Sequence, residues 1–241
     1  MTNPISLFYD ADTFSSAGFF VLTLCLLALT WSGCWLSHFL VGRLEQIWQA
    51  RERALRPPST LVAKRSHDVA HAVVCFFCTV AAYQLCRSWT HLLAIVSVCA
   101  VLLVLARIDA YTGLLPDVLT QPLLWAGLLF NLMYSVVPLE QSVLGVVAGY
   151  LPLWLVASIF QQLTGRPAMG NGDFKFAAAI GAWVGVSLVP AVLLVASCLA
   201  CMACGVRWFK TGQGAAVALP FGPFLSFAGG LGIFTCFWPV S

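Results

Sequence analysis

Between Lys175 and Arg207 the chain reads FAAAIGAWVGVSLVPAVLLVASCLACMACGV, residues 176–206, with no formal charge over 31 positions. A helix crossing a bilayer needs about 20 apolar residues, so this run is too long for one span and too short for two full ones. Pro190 has no amide N–H and crowds the turn before it, so it divides the run. The reading is a short helix from Phe174 to about Val186, then a full-length one from about Leu188 to Val206.

The flanking charge-free runs extend the pattern. Asp12 to Arg43 encloses 30 residues, Asp68 to Arg87 encloses 18, Arg87 to Arg107 encloses 19, Asp117 to Glu140 encloses 22, and Glu140 to Arg166 encloses 25. Each holds one span. The 31 residues after Lys210 hold the last, from about Pro223 to Trp238. The expected fold is therefore all-α, a polytopic integral membrane protein of about eight transmembrane helices with the sixth short. Composition agrees: 61% of residues are hydrophobic, 9% are charged and the mean hydropathy is +0.92, where a soluble domain has about 25% charged residues.

Charge also predicts the threading. Asp10 and Asp12 precede the first span without Lys or Arg, and Arg43 follows it, the reverse of a secretory signal. The first span is expected to be retained, with the N-terminus outside. Eleven of the twelve Lys and Arg residues then fall on the cytosolic side and only Arg87 outside. Merging the sixth and seventh spans would place Arg207 and Lys210 outside. Two regions follow: residues 1–106, with three spans and a basic cytosolic loop at 43–68, and residues 107–241, with the other five.

In this apolar chain two aspartates stand out, Asp109 in RIDAYTGLLPDVLT (residues 107–120) and Asp173 in GNGDFKF (residues 170–176). A carboxylate within a span costs about 2.5–3.5 kcal/mol on insertion scales, so such residues are functional candidates. The threading puts both at the cytosolic interface, and two carboxyls sharing one proton point to aspartyl hydrolysis. Each has a plainer alternative: Asp173 as the cap of the sixth span, Asp109 as a partner of Arg107. Asp117, after Pro116, reads as the cap of the fourth span. Gly170 and Gly172, which permit positive φ and close backbone approach, read as a turn that aims Asp173 and lets a substrate strand lie near it, or as a plain interhelical turn. Lys175 either neutralises the local carboxylates or anchors at the interface. Pro220, Gly222 and Pro223 read as setting the start of the last span. Cys75 and Cys78, and Cys198, Cys201 and Cys204, lie in apolar runs without His or acidic neighbours and read as buried thiols; no metal site is expected.

GNGD resembles the GxGD signature of intramembrane-type aspartyl proteases. Its continuation, GNGDFKFAAAIGAWVG, is similar to the second aspartate block of bacterial type IV prepilin peptidases. IDAYTGLLPDVLTQPLLWAGLLFN resembles the family's first aspartate block, and LPFGPFLSFAGG resembles its last-helix block. The resemblance implies an aspartic endopeptidase of the bacterial inner membrane. Its substrates would be type IV prepilins or type II secretion pseudopilins, whose short basic leader it removes at the cytosolic face. Asp109 and Asp173 match the two catalytic aspartates, Asp117 belongs to the LPD element, and no cofactor is required. The pilus or secretion assembly machinery is a further expected partner, besides the bilayer; no nucleic-acid motif is present.

Longer members carry two zinc-binding CxxC pairs in the cytosolic loop and often methylate the new pilin N-terminus with S-adenosylmethionine. Loop 43–68 has no cysteine, which leaves methylation an open alternative. Helix dipoles point to Asp173 as the base and Asp109 as the acid, with Arg107 near enough to reverse this. A proton-coupled transporter is the reading of another class, but it would place paired acids near the midplane between repeats, and no repeat is found.

Overall fold

The computed structural model describes residues 89–165, 169–211 and 219–237. The first two expected spans, the loop at 43–68, Cys75 and Cys78 lie outside these residues. Every described element is an α-helix: α1 Trp89–Thr112, α2 Asp117–Tyr134, α3 Leu139–Thr164, α4 Asn171–Val184, α5 Val189–Thr211 and α6 Gly222–Phe237. The all-helical class stands. Boundaries move: the short helix opens at Asn171 rather than Phe174, and α5 runs on past Val206 to Thr211. Leu105–Cys236 forms one compact unit, to which α1 gives its last turns; Trp89–Val104 and Phe237 belong to another.

Three helices, over Thr90–Thr112, Leu139–Thr164 and Val189–Phe209, are long and apolar enough to cross a membrane. The outward faces of α3 and α5 expose Trp154, Leu155, Val156, Leu163, Leu194, Met202 and Phe209. Large apolar side chains turned outward along such helices suit lipid rather than water. Cys198, Cys201 and Cys204 share this outer face and are exposed. The expected burial of these thiols is therefore wrong: their spacing of three keeps them on one side of α5, and that side faces away from the core.

The core is α4. At 14 residues it is about 21 Å long, short of the roughly 30 Å of hydrocarbon. Phe174 and all residues from Phe176 to Val184 are buried, as a helix apolar all round requires. Its small residues let α3 come close. A Cβ on Gly145 or Gly181 would meet the other's carbonyl oxygen, and one on Gly149 would lie 2.5 Å from the Ala177 carbonyl oxygen. Gly145 and Gly149 form a GxxxG pair, the spacing that permits backbone contact between helices in lipid.

Polar ties close the end away from the Asn171 terminus of α4. Asn131 Nδ2 donates to Ser142 Oγ at 3.0 Å and to the Ala182 carbonyl at 2.9 Å, while its Oδ1 accepts from the Val137 N–H at 3.2 Å. One buried amide thus joins α2, α3 and α4. Trp183 Nε1 donates to the Leu123 carbonyl at 2.9 Å, and its ring stacks on Phe130.

Gly181→Ala is expected to destabilise the protein by about 1–3 kcal/mol, the cost of overpacking where backbone cannot yield. Gly205→Ala on α5, whose Cβ meets nothing within 4 Å, is expected to be neutral or slightly stabilising. Unfolding in mixed micelles compares the two; equal stabilities would refute the close-packing account.

Candidate active site

Asp109 lies in the last turn of α1 and is 4% exposed. The helix ends three residues later, where Gly113 takes φ 64° and its N–H bonds the Asp109 carbonyl at 2.8 Å. Thr112 Oγ1 donates to the Ile108 carbonyl and accepts from the Leu114 N–H, which shapes the exit. The Asp109 carboxyl is met from another helix: its Oδ2 accepts the Gly222 N–H at 2.7 Å. Gly222 opens α6, and the next residue, Pro223, has no N–H. The α6 terminus therefore offers this carboxyl one donor on the positive end of a helix dipole. A Cβ on Gly222 would lie 2.6 Å from Asp109 Oδ2. Gly222 is thus a site residue, where its sequence reading was only that it begins a span. The donor comes from 113 positions along the chain, so no local pattern marks it.

Asp173 lies in the first turn of α4, outside the three membrane-capable helices. It is not the cap. Gly170 is, with extended backbone at φ −73° and ψ 143°. Asp173 is three residues further on, and the Gly170 N–H hydrogen-bonds back to its carboxyl, half of a capping box. Asp173 Oδ1 is buried with no hydrogen-bond partner among the described residues. Burial first, then the Asp109 charge, push the Asp173 carboxyl up to about 7, against the lowering effect of the Gly170 bond. The two carboxyls therefore lie near enough to feel one another.

The flanking residues depart from their sequence readings. Neither Gly170 nor Gly172 uses positive φ. Gly172 does need close approach, since a Cβ there would sit 2.9 Å from Leu115 Cβ. Asp117 is not the cap of α2; Pro116 holds that position and Asp117 is the first helical residue. Its Oδ2 instead meets Lys175 Nζ at 2.6 Å, which ties the start of α2 to the start of α4 and settles the two readings of Lys175 in favour of a carboxylate partner. With side chains 34% and 56% exposed, the pair is worth at most about 1 kcal/mol. Lys175→Ala is accordingly expected to change stability by less than about 1 kcal/mol in micelle unfolding; a larger loss would mean the pair is better shielded than its exposure indicates.

The fold and the paired carboxyls define a helical integral membrane protein with an acidic site at one end of its packed core. Residues 96–206 match the Type IV leader peptidase family. Named relatives agree. The chain is 51% identical over 130 residues to a prepilin leader peptidase/N-methyltransferase of Dickeya chrysanthemi, an alignment covering 54% of this chain and 46% of that one. To the protein so named in Neisseria gonorrhoeae it is 45% identical over 154 residues, 64% and 52% of the two chains. To that of Klebsiella pneumoniae it is 57% identical over 98 residues, 41% and 43%. The chain spans about half the length of these relatives. No solved structure gives a significant match.

Proposed function

We propose that this protein is a prepilin leader peptidase, cleaving the basic leader from type IV prepilins or type II secretion pseudopilins at the cytosolic face of the bacterial inner membrane. The observation that carries this is that Asp109 and Asp173, at one end of the core, lie near enough for the charge of one to act on the other, inside a region that matches the leader peptidase family. The catalytic pair is Asp109 and Asp173, with Gly170, Gly172, Lys175 and Asp117 shaping the loop around it. The peptidase core is residues 107–241 in an eight-span chain whose N-terminus is outside.

The two carboxyls divide the work. Asp109, facing the α6 terminus and accepting the Gly222 N–H, is the base; Asp173, with one oxygen buried and unpartnered, holds the proton. This reverses the assignment from the two aspartates' own helices, because a third helix brings its positive end to Asp109. Asp109 takes a proton from water as the oxygen attacks the scissile carbonyl carbon, and Asp173 gives its proton to the carbonyl oxygen. The tetrahedral adduct collapses by breaking the C–N bond, with the proton on Asp109 passing to the leaving amine and one hydroxyl proton of the adduct returning to Asp173 as the C=O re-forms. The leader leaves as a carboxylic acid and the pilin gains a free N-terminal amine. Because Asp173 must be protonated, the rate is expected to fall as pH rises through about 7. A rate still climbing above about pH 8 would overturn Asp173 as the acid.

The test of function is incubation of membranes containing the protein with several prepilins and pseudopilins, read by the mass of the products. Leader loss is expected. An extra methyl mass on the pilin N-terminus would extend the activity to the second part of the relatives' name. Intact substrates throughout would favour a proton-coupled transporter.

A further inference from the structure

α3 and α4 are the most extensively packed pair of described helices, and a series of contacts fixes their register. The Gln141 carbonyl accepts the Val186 N–H at 2.9 Å, Gly145 lies against Gly181, and Gly149 lies against Ala177. The Tyr150 and Phe174 rings then meet edge-on, with centroids 6.1 Å apart. Residue numbers rise along α3 as they fall along α4, so the two helices run antiparallel. The series ends one residue short of Asp173. There α4 runs out, at Asn171, whereas α3 continues to Thr164, about 20 Å past Tyr150 at 1.5 Å per residue.

Beyond that level the stripe of α3 that faces α4 loses its cover. Gly145, Gly149, Leu153 and Phe160 recur at intervals of four, four and seven, which keeps them on one side of the helix. The two glycines are buried, Leu153 is half-buried and Phe160 is 46% exposed. From Leu151 to Thr164 no side chain is buried. Leu153 is one turn past Gly149 and so stands beside the first turn of α4, which carries Asp173. Phe160 stands two turns further, about 10 Å, on the same stripe. A peptide bond brought to the carboxyls cannot come through α4, which is buried from Phe176 to Val184. It arrives over the open end of α4, where this stripe stands.

We propose that Leu153 and Phe160 form an apolar wall of the substrate cleft, against which apolar side chains on the pilin side of the scissile bond are seated. The wall carries no charge, so a basic leader gains nothing from it, while an apolar side chain is removed from water by it. From Leu153 to Phe160 the wall matches about three residues of extended chain. The inference rests on the leader-peptidase reading.

The test uses the full-length protein in detergent with a purified prepilin. Phe160→Ala is expected to raise KM about tenfold with kcat little changed, the mark of binding shared by ground and transition states. Leu155→Ala, on the other side of α3 and 53% exposed, is expected to match wild type. A prepilin with serine at its first three pilin positions is expected to lose about tenfold with wild type and nothing further with Phe160→Ala, since the contact is already gone. In an Asp173→Asn background, which keeps the substrate whole, benzoylphenylalanine at position 160 is expected to crosslink to the pilin side of the scissile bond, and at position 155 to lipid or detergent alone. An unmoved KM in Phe160→Ala, additive losses with the serine prepilin, or crosslinks from position 160 to the leader, or to lipid or detergent alone, would each overturn the proposal. Should Phe160→Ala not fold, the serine prepilin with wild type and the crosslinks decide by the same criteria. An inactive wild type counts against the leader-peptidase reading itself, whereas an active wild type beside an unmoved Phe160→Ala counts against the wall only.

Discussion

Asp109→Asn and Asp173→Asn are each expected to lower prepilin cleavage by about a thousandfold or more while leaving the protein folded. Asparagine keeps the shape of aspartate and can still accept one hydrogen bond, so the Gly222 N–H at position 109 and the Gly170 N–H at position 173 keep an acceptor. What it cannot do is take or give the proton. Stability is expected to hold, because the substitution removes a partly or fully buried acid rather than a packing group. Groups that act as a unit lose their effect together, so the double variant should be little worse than either single one. Cleavage kinetics with purified prepilin, alongside helicity and melting measurements, check this. Residual cleavage within tenfold of wild type in either folded variant would remove that aspartate from the mechanism.

Gly222→Ala is expected to cost about a hundredfold in kcat, toward the upper end of a charge-assisted hydrogen bond. The new Cβ would lie 2.6 Å from Asp109 Oδ2 and 2.9 Å from its Cβ and Cγ, so the carboxyl must swing away and lose the 2.7 Å bond. The helix cannot easily retreat, since Gly229 and Gly232 hold α6 against Ile180 and Val184. Gly230→Ala on the same helix, with nothing within 4 Å of its Cβ, should cleave at the wild-type rate. If both variants were fully active, Gly222 would have no part in holding Asp109.

The helices were legible in outline, and the reasons for reading them held unevenly. Pro190 did mark the start of a helix, now α5 at Val189. The short helix nevertheless opened at Asn171, since Gly170, and not Asp173, supplies the cap. The GxxxG of Gly145 and Gly149 is a sign of close packing in the sequence, but the partners it meets, Gly181 and Ala177, lie on another helix. Asp117 looked like a cap because it follows a proline, yet its partner is Lys175, 58 positions away. No window of sequence contains both.

Chain chemistry alone determined that this is an apolar, all-helical membrane protein and that its rare acids needed a purpose. These are local properties: a segment in lipid must satisfy its own backbone hydrogen bonds, so its length and charge decide whether it spans. Only the tertiary structure decided which groups meet. The Gly222 N–H against Asp109 and the Lys175 ammonium against Asp117 both depend on the rotation and depth of one helix against another. Those are set by where small residues let backbones touch, a property of two surfaces together that neither helix carries alone.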